Sequence, residues 1–439
     1  MKRYAVVGMS NRAIAAFIKP LVERYGSQTR IVAMLDRDPL RFKVAHQRVP
    51  ALPDVPTFDP EQFDQMVDQT RPDVVLVTTT DDAHERYTVA ALKRDLDVVV
   101  EKPMTINCRQ AQAVLDAQAA SRGTVTVTHN MRYRPHHQQL KRMLMEGRVG
   151  RITNVDFNYY CDSYHGASYF KRWNRQRSRS GGLTIHKSTH HFDFINWLID
   201  QDPQQVFAYS ALNYYGPDGE MNPIRKDGRH CQSCDERKRC AYEMRWPPLY
   251  TNDAAAVPAV EEHLLPIRVG TYSDYRPDQC IFDSQIDIED TYVATVRYSG
   301  GAMMSYSVNF SVPYEGYRLA INGTRGRLET SSIEPRGTFT KPPQDIAYYP
   351  LFGGGREIIE PLQNAGGHGG SDPLLLEELI LGPDPQQPYS CVGTARAGAM
   401  AVAVGEAIWR SAKDNRPYNI ADLLTVDVPV SARPAVATV

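Results

Sequence analysis

The chain has 439 residues, enough for two domains with cores of their own, and its 50 Lys and Arg against 51 Asp and Glu leave a formal net charge of −1. That balance argues against a nucleic-acid partner or an anionic membrane surface, and the lack of any apolar run of about 18 residues argues against a membrane-spanning helix. The first eight residues enter a strand without the apolar stretch of a signal peptide, and the seven cysteines form an odd set with three of them clustered. The expectation is a soluble cytoplasmic protein whose clustered cysteines suit a metal better than a disulfide framework.

Tyr4–Val7 reads as a short buried strand ended by Gly8, and Ile14, Phe17, Ile18 and Leu21 recur at helical spacing after it. The turn between them, Gly8-Met9-Ser10-Asn11-Arg12-Ala13, is a G-x-S-x-x-A variant of the dinucleotide fingerprint. Gly8 permits the tight turn, Ser10 stands where backbone must approach a pyrophosphate, and Ala13 lets the helix pack closely. A second strand, Arg30–Asp36, puts an acid at its carboxyl end. Asp36 can accept hydrogen bonds from an adenosine ribose, which favours NAD, while the adjacent Arg37 could pair with the 2′-phosphate of NADP. The structural alternative for Asp36 is a helix cap ahead of Asp38-Pro39.

Strand and helix keep alternating. Val74–Val77 runs into Thr78-Thr79-Thr80, with Asp81 or Asp82 capping a helix from His84 to Leu92; Asp97–Val100 leads to Glu101-Lys102-Pro103; Val125–Thr128 leads into His129-Asn130. The alternation predicts a parallel, doubly wound sheet, and Gly8, Asp36, Thr79, Lys102 and Asn130 all fall where strands end. One edge of the sheet therefore collects them, and ligands bind such sheets at that edge.

Tyr-Ala-Val-Val-Gly at the start, Asp82-x-His84 after the fourth strand, Val-Val-Val-Glu-Lys-Pro at 98–103, and Gly181-Gly182 followed by Ser188, His190 and Asp193 resemble the Gfo/Idh/MocA oxidoreductases over nearly the whole chain. The resemblance implies a Rossmann domain over 1–130 that binds NAD, or else NADP, through Gly8, Ser10, Asn11 and Arg12 of the turn, Asp36, Arg37, Thr79, Thr80, His84, Glu101, Lys102 and Asn130. It implies Lys102 beside the nicotinamide, with the Lys–Pro bond often cis. It further implies an α+β domain over 131–439, built on a large, mostly antiparallel open sheet that binds substrate and carries the contacts of a homo-oligomer, a dimer or tetramer.

The residues of the second half agree with a sheet. Ile152–Cys161 alternates Val155, Phe157 and Tyr159 against Asn154, Asp156 and Asn158, one buried and one polar face. Further strand-like runs follow at Val206–Leu212, Asp290–Tyr298, Ala302–Phe310, Tyr317–Asn322 and Gly326–Thr330, and Ala395–Ala412 reads as a final Ala-rich helix. Between the first two runs, His186 and His190 stand at i, i+4 on a predicted helix, with Asp193 placed to orient the His190 ring. Members of the resembled family commonly carry an acid where this chain has His186, followed here by Lys187, which leaves the identity of the acid/base open. His190 is the first candidate, with Lys102 as its partner and His186 or Lys187 contacting substrate. A histidine can take a hydroxyl proton near neutrality, while an ammonium stabilises charge developing on oxygen. The alternative for His190 is a structural histidine joining two loops.

Residues 213–266 are polar and irregular, an insertion reaching to about 280 that contains Cys231, Cys234 and Cys240, with Cys280 further on. Four thiolates can hold a structural zinc, with His230 or His263 as substitute ligands; free thiols in a loop are the alternative. Tyr160, Tyr164 and Trp173 near Lys171–Arg179 suit a sugar-like polyol, although tyrosine is also an ordinary strand residue. Ala365–Asp372, with His368 at its centre, resembles a family loop that reaches the active site, or else is a glycine-rich turn capping a helix near Pro373.

Three functions follow. The leading one is an NAD(P)-dependent oxidoreductase acting on a secondary hydroxyl or keto carbon of a sugar, cyclitol or glycoside. The second uses the same transient oxidation inside a glycoside hydrolase that works by elimination. The third is a non-catalytic, cofactor-sensing regulator.

Overall fold

The structure is a computed structural model that describes residues 1–242, 250–251, 268–269, 278–335, 344–365 and 367–426. The first sheet is made of β1 (Lys2–Val7), β2 (Thr29–Leu35), β3 (Thr57–Phe58), β4 (Val74–Val77), β5 (Asp97–Val100) and β6 (Val125–Val127), all parallel. The apolar runs predict this burial: every residue of β4, and Val98–Val100 of β5, is shielded on both faces, as a parallel sheet between helices requires. β1 lies between β4 and β2, so the connections leave it in opposite directions and open a crevice at the carboxyl ends. The helix His84–Leu92 has the predicted bounds. Helices Pro39–Arg48 and Phe63–Thr70, unforeseen from the sequence, complete the layers.

The second sheet begins with β7 (Ile152–Asp162) and β8 (Pro203–Ala211). A two-residue pair, β9 (Tyr250–Thr251) with β10 (Arg268–Val269), stands apart from it. The sheet continues with β11 (Thr291–Tyr298), β12 (Met303–Val312), β13 (Tyr314–Gly323), β14 (Gly326–Pro335), β15 (Ile346–Pro350) and β16 (Glu357–Ile359). β17 (Gly393–Thr394) returns to the first sheet as an antiparallel edge strand on β6, and β18 (Tyr418–Asn419) closes the second sheet beside β8. Among the described residues the second sheet therefore has nine strands, antiparallel throughout except where β12 runs parallel to β7. Six of these strands match the predicted runs. β15, β16 and β18 are short and lacked a readable alternation.

The inner face of this sheet presents Val155, Phe157, Tyr306 and Tyr317, all buried, to the helix Thr189–Ile199. The helix Ala395–Asp414 is nearly all small or apolar because it is covered on several sides at once. It packs on β8, on Thr189–Ile199 and on Cys108–Ala119 of the first half, tying the two sheets together. At Gly405 a Cβ would come 2.4 Å from the carbonyl oxygen of Thr184, so this crossing admits no side chain.

Candidate active site

A cleft of about 750 Å³ runs from the carboxyl edge of the first sheet to the inner face of the second. At the β1 end, Gly8 has φ +90, and a Cβ on it would lie 2.6 Å from the Thr79 nitrogen. Only glycine lets β1 turn this tightly against β4. Ser10 caps the following helix by accepting from the Ala13 N–H at 3.0 Å, and Asn11 is held by Arg41 at 2.6 Å. Arg12 spans the mouth, pairing with Glu101 at 2.9 Å and with Asp372 at 2.7 Å. Asp36 accepts from the backbone N–H of Met9 at 2.6 Å and of Asp38 at 2.9 Å, which fixes the β1 and β2 ends relative to each other. Burial pushes its carboxyl above the ordinary range. Arg37 is exposed at the rim. Thr79, Thr80, His84 and Asn130 also line the cleft; His84 is fixed against the Pro103 carbonyl at 2.8 Å, and Asn130 donates to Asp372 at 3.0 Å.

This end fits a dinucleotide: a cradle that a Cβ would fill, an acid at the second strand end, and helix N-terminal backbone facing the crevice.

Further in, Lys102 follows β5, and the Lys102–Pro103 peptide bond is cis. Lys102 Nζ donates to the backbone carbonyl of His186 at 3.1 Å. Burial lowers its pKa to about 8, against the pull of Asp81 and Glu101. The His186 ring is engaged on both sides, by a short Nδ1 contact with Asp81 and by Asn174 at 3.2 Å from Nε2. Burial raises Asp81 to about 7, and burial with Lys102 nearby holds His186 well below its usual value. His186 thus works as a bracket: it receives Lys102 with its carbonyl and Asp81 with its ring. Asp81 was expected only as a helix cap. Its role required the fold, because Asp81, in the turn after β4, and His186, at the end of the helix Leu183–His186, are 105 residues apart in the chain.

His190 and Lys187 also face the cleft. Burial, then Lys102 and Lys187, push His190 well below the ordinary histidine range, so it is a neutral imidazole at neutral pH. Its Nδ1 is buried without a partner among the described residues. Asp193 does not orient that ring. It is buried behind the cleft, accepting from Arg132 Nε at 2.7 Å and Nη2 at 2.6 Å, and it takes no part in the cleft wall. The predicted helix is in fact broken between Leu183–His186 and Thr189–Ile199, so His186 and His190 belong to separate helices, while Asp193, on the same helix as His190, is claimed by Arg132. Lys187 lies 3.4 Å from Glu315 and 4.9 Å above the Tyr159 ring.

Among the expected substrate residues, Trp173 lines the cleft and meets the His186 ring edge-on at 5.6 Å. Tyr160 does not line it: strand alternation turns it to the other face of β7, against Tyr314, and Tyr159 takes the place in the cleft. The side chain of His368 lies outside the described residues, but its segment does reach the site through Asp372. Sequence reasoning missed Tyr169 and Glu315, which come from a helix and a strand whose sequences carry no motif, and within the Lys171–Arg179 stretch it did not single out Arg172, which also lines the cleft.

Among the described residues no cysteine forms a disulfide, and Cys231, Cys234, Cys240 and Cys280 line a pocket of about 20 Å³. Arg229 and Arg237 line the same pocket, and burial raises the Cys280 thiol. Of the substitute ligands, His230 is bound to Asp278 at 3.0 Å and His263 lies outside the described residues.

Residues 2–129 match the family described as "Oxidoreductase family, NAD-binding Rossmann fold", and residues 141–420 match its C-terminal alpha/beta domain. The chain belongs to the Gfo/Idh/MocA oxidoreductase family. It is 50% identical over 427 residues to the oxidoreductase YteT of Bacillus subtilis (strain 168), covering 96% of this chain and 99% of that protein. Inositol 2-dehydrogenase of Rhizobium meliloti (strain 1021) is 24% identical over 140 residues, 32% of this chain and 40% of that enzyme. The WlbA dehydrogenase of Bordetella pertussis, solved with NADH and UDP-GlcNAcA, has the same fold at TM-score 0.61 and 18% identity, covering 97% of this chain and 99% of that one. The protein is therefore an NAD-binding oxidoreductase of the Gfo/Idh/MocA type. No helix among its described residues is long and apolar enough to cross a membrane.

Proposed function

We propose that this Gfo/Idh/MocA chain interconverts a secondary hydroxyl and a ketone on a sugar, cyclitol or glycoside. The observation that carries the reading is the meeting of Lys102, from the end of β5, with His186 and His190, from beneath the second sheet, in one cleft. Relatives named for inositol oxidation, and one solved with a nucleotide sugar, support a polyol substrate. When bound, nicotinamide supplies the two-electron acceptor or donor. The chain supplies proton handling and placement. Neutral His190 is ready to accept the hydroxyl proton, and Lys102 as ammonium stabilises negative charge developing on that oxygen. The Asp81–His186 bracket keeps the ammonium aimed, and Trp173 offers an apolar face for a sugar ring.

The cofactor we propose is NAD, since Asp36 stands where a 2′-phosphate would be repelled. A structural zinc on Cys231, Cys234, Cys240 and Cys280 is proposed on the thiol chemistry of one shared pocket alone, since these sulfurs are not drawn to metal-ligand spacing among the described residues; four protein ligands would leave no open position for chemistry. Cysteines without disulfides among the described residues suit a cytoplasmic setting, and Tyr209, Val293 and Met303, exposed on the outer face of the second sheet, suit a homo-oligomer.

The test is a panel of sugars and cyclitols with NAD+, followed at the absorbance of NADH, using the native chain, Lys102→Ala and His190→Ala. Both variants should bind NAD+ and lose turnover. Near-normal kcat in either one removes that residue from the mechanism, and release of an aglycone without NADH would favour the hydrolase.

A further inference from the structure

The wall of the cleft away from the Gly8 turn holds more cations than anions. Arg179 stands 3.4 Å from Asp82 and Lys187 3.4 Å from Glu315. Lys102 feels Asp81 and Glu101 as its nearest opposite charges. Arg134 is different. It lines the cleft, has no acidic partner among the described residues, and its Nε is buried without a hydrogen-bond partner. Leaving a buried guanidinium nitrogen unsatisfied is costly, and the fold gains nothing visible from it. Such a group is explained when a ligand completes it.

Its surroundings place it on the substrate side. Arg134 bears on His136, His137 and Tyr317, and His137 packs against Phe194 and Tyr317 at the inner face of the second sheet. His191 feels Arg134 together with Lys187 and Lys102, so the three cations share one region of the cleft. Gly369, with φ +70, lies beside the guanidinium, where a Cβ would come 3.8 Å from Arg134 Nε. The glycine-rich segment thus borders this cation without supplying an acid from its described residues.

We propose that the substrate carries a carboxylate, as a uronic or aldonic acid does, and that Arg134 binds it. The planar fork of arginine matches a carboxylate with two parallel hydrogen bonds, which a hydroxyl cannot accept with the same charge. The opposite reading, a cation held by Cys161, His165 and Glu315, whose donor atoms lie within 4.8 Å of one another, is weaker. Glu315 already accepts from Tyr159 at 2.5 Å, and the Lys187 ammonium beside it repels a second cation. The proposal rests on the oxidoreductase reading above and adds the charge of the substrate to it.

The experiment titrates the full chain, loaded with NAD+, by calorimetry against matched pairs: D-galacturonate with D-galactose, D-glucuronate with D-glucose, and D-gluconate with D-glucitol. The expected result is that at least one acid binds tighter than its neutral partner by about tenfold to a hundredfold, the range of a charge-assisted pair. Arg134→Gln should erase that difference. Arg134→Lys, which keeps the charge and loses the fork, should keep the acid ahead by a smaller factor, and it carries the test if Arg134→Gln fails to fold. Equal or weaker binding of every acid overturns the proposal, as does an acid preference that survives in Arg134→Gln, or a loss confined to NAD+ binding. Oxidation of neutral polyols with no acid preference would overturn this proposal and leave the oxidoreductase reading intact, whereas failure of every sugar to yield NADH would remove both.

Discussion

Asp193 gives the sharpest test of what the tertiary structure adds. In the sequence it reads as a partner of His190; in the fold it is 1% exposed and accepts two hydrogen bonds from Arg132, which is 6% exposed. Asp193→Ala leaves the guanidinium buried with its Val392 carbonyl contact at 3.1 Å but no counter-charge. Stranding one member of a buried pair costs about 3–5 kcal/mol, a large part of the roughly 5–15 kcal/mol that holds a typical domain together. Urea unfolding should therefore show a lower midpoint at an unchanged slope. The double replacement Arg132→Met with Asp193→Leu removes both charges and keeps the volume, so it should recover most of the loss, and the recovered protein should turn over substrate. A stable double variant without turnover would restore a catalytic role for Asp193. A loss below about 1 kcal/mol in Asp193→Ala would refute the buried-pair argument itself.

The pH dependence follows from Lys102, lowered to about 8 by burial: its ammonium is the working form, so kcat/KM should fall as pH rises through about 8. A rise through the same pH would make the neutral amine the proton acceptor in place of His190. Because His190 is held well below its ordinary value, no loss of kcat/KM is expected around pH 6.5 from that ring. Gly8→Ala should cost about 2 kcal/mol or more and abolish NAD+ binding in a fluorescence titration, since the added carbon would sit 2.6 Å from the Thr79 nitrogen. Elemental analysis of protein purified without chelator should find one zinc per chain, and Cys234→Ser should lose it; a metal-free native protein would refute the four-thiolate site.

The local chemistry of the chain determined a good deal. Three valines before Glu101-Lys102-Pro103 can only be a buried strand whose charges emerge at its end, and repeated strand–helix alternation forces those ends to one edge. For the same reason all twelve residues expected to hold the dinucleotide line the cleft. Period-two alternation also places Tyr159 on the buried face of β7, which is why Tyr160 was the wrong tyrosine for the cleft.

What the sequence left undecided are contacts between segments far apart in the chain. The helix break after His186, the pairing of Asp193 with Arg132, the Asp81–His186 bracket and the approach of Asp372 to Arg12 each join groups from separate elements. Side-chain periodicity reports only which face a residue takes on its own element. Which acid meets which base depends on how the two sheets are docked through the helix Ala395–Asp414, and that is settled by packing summed over the whole molecule.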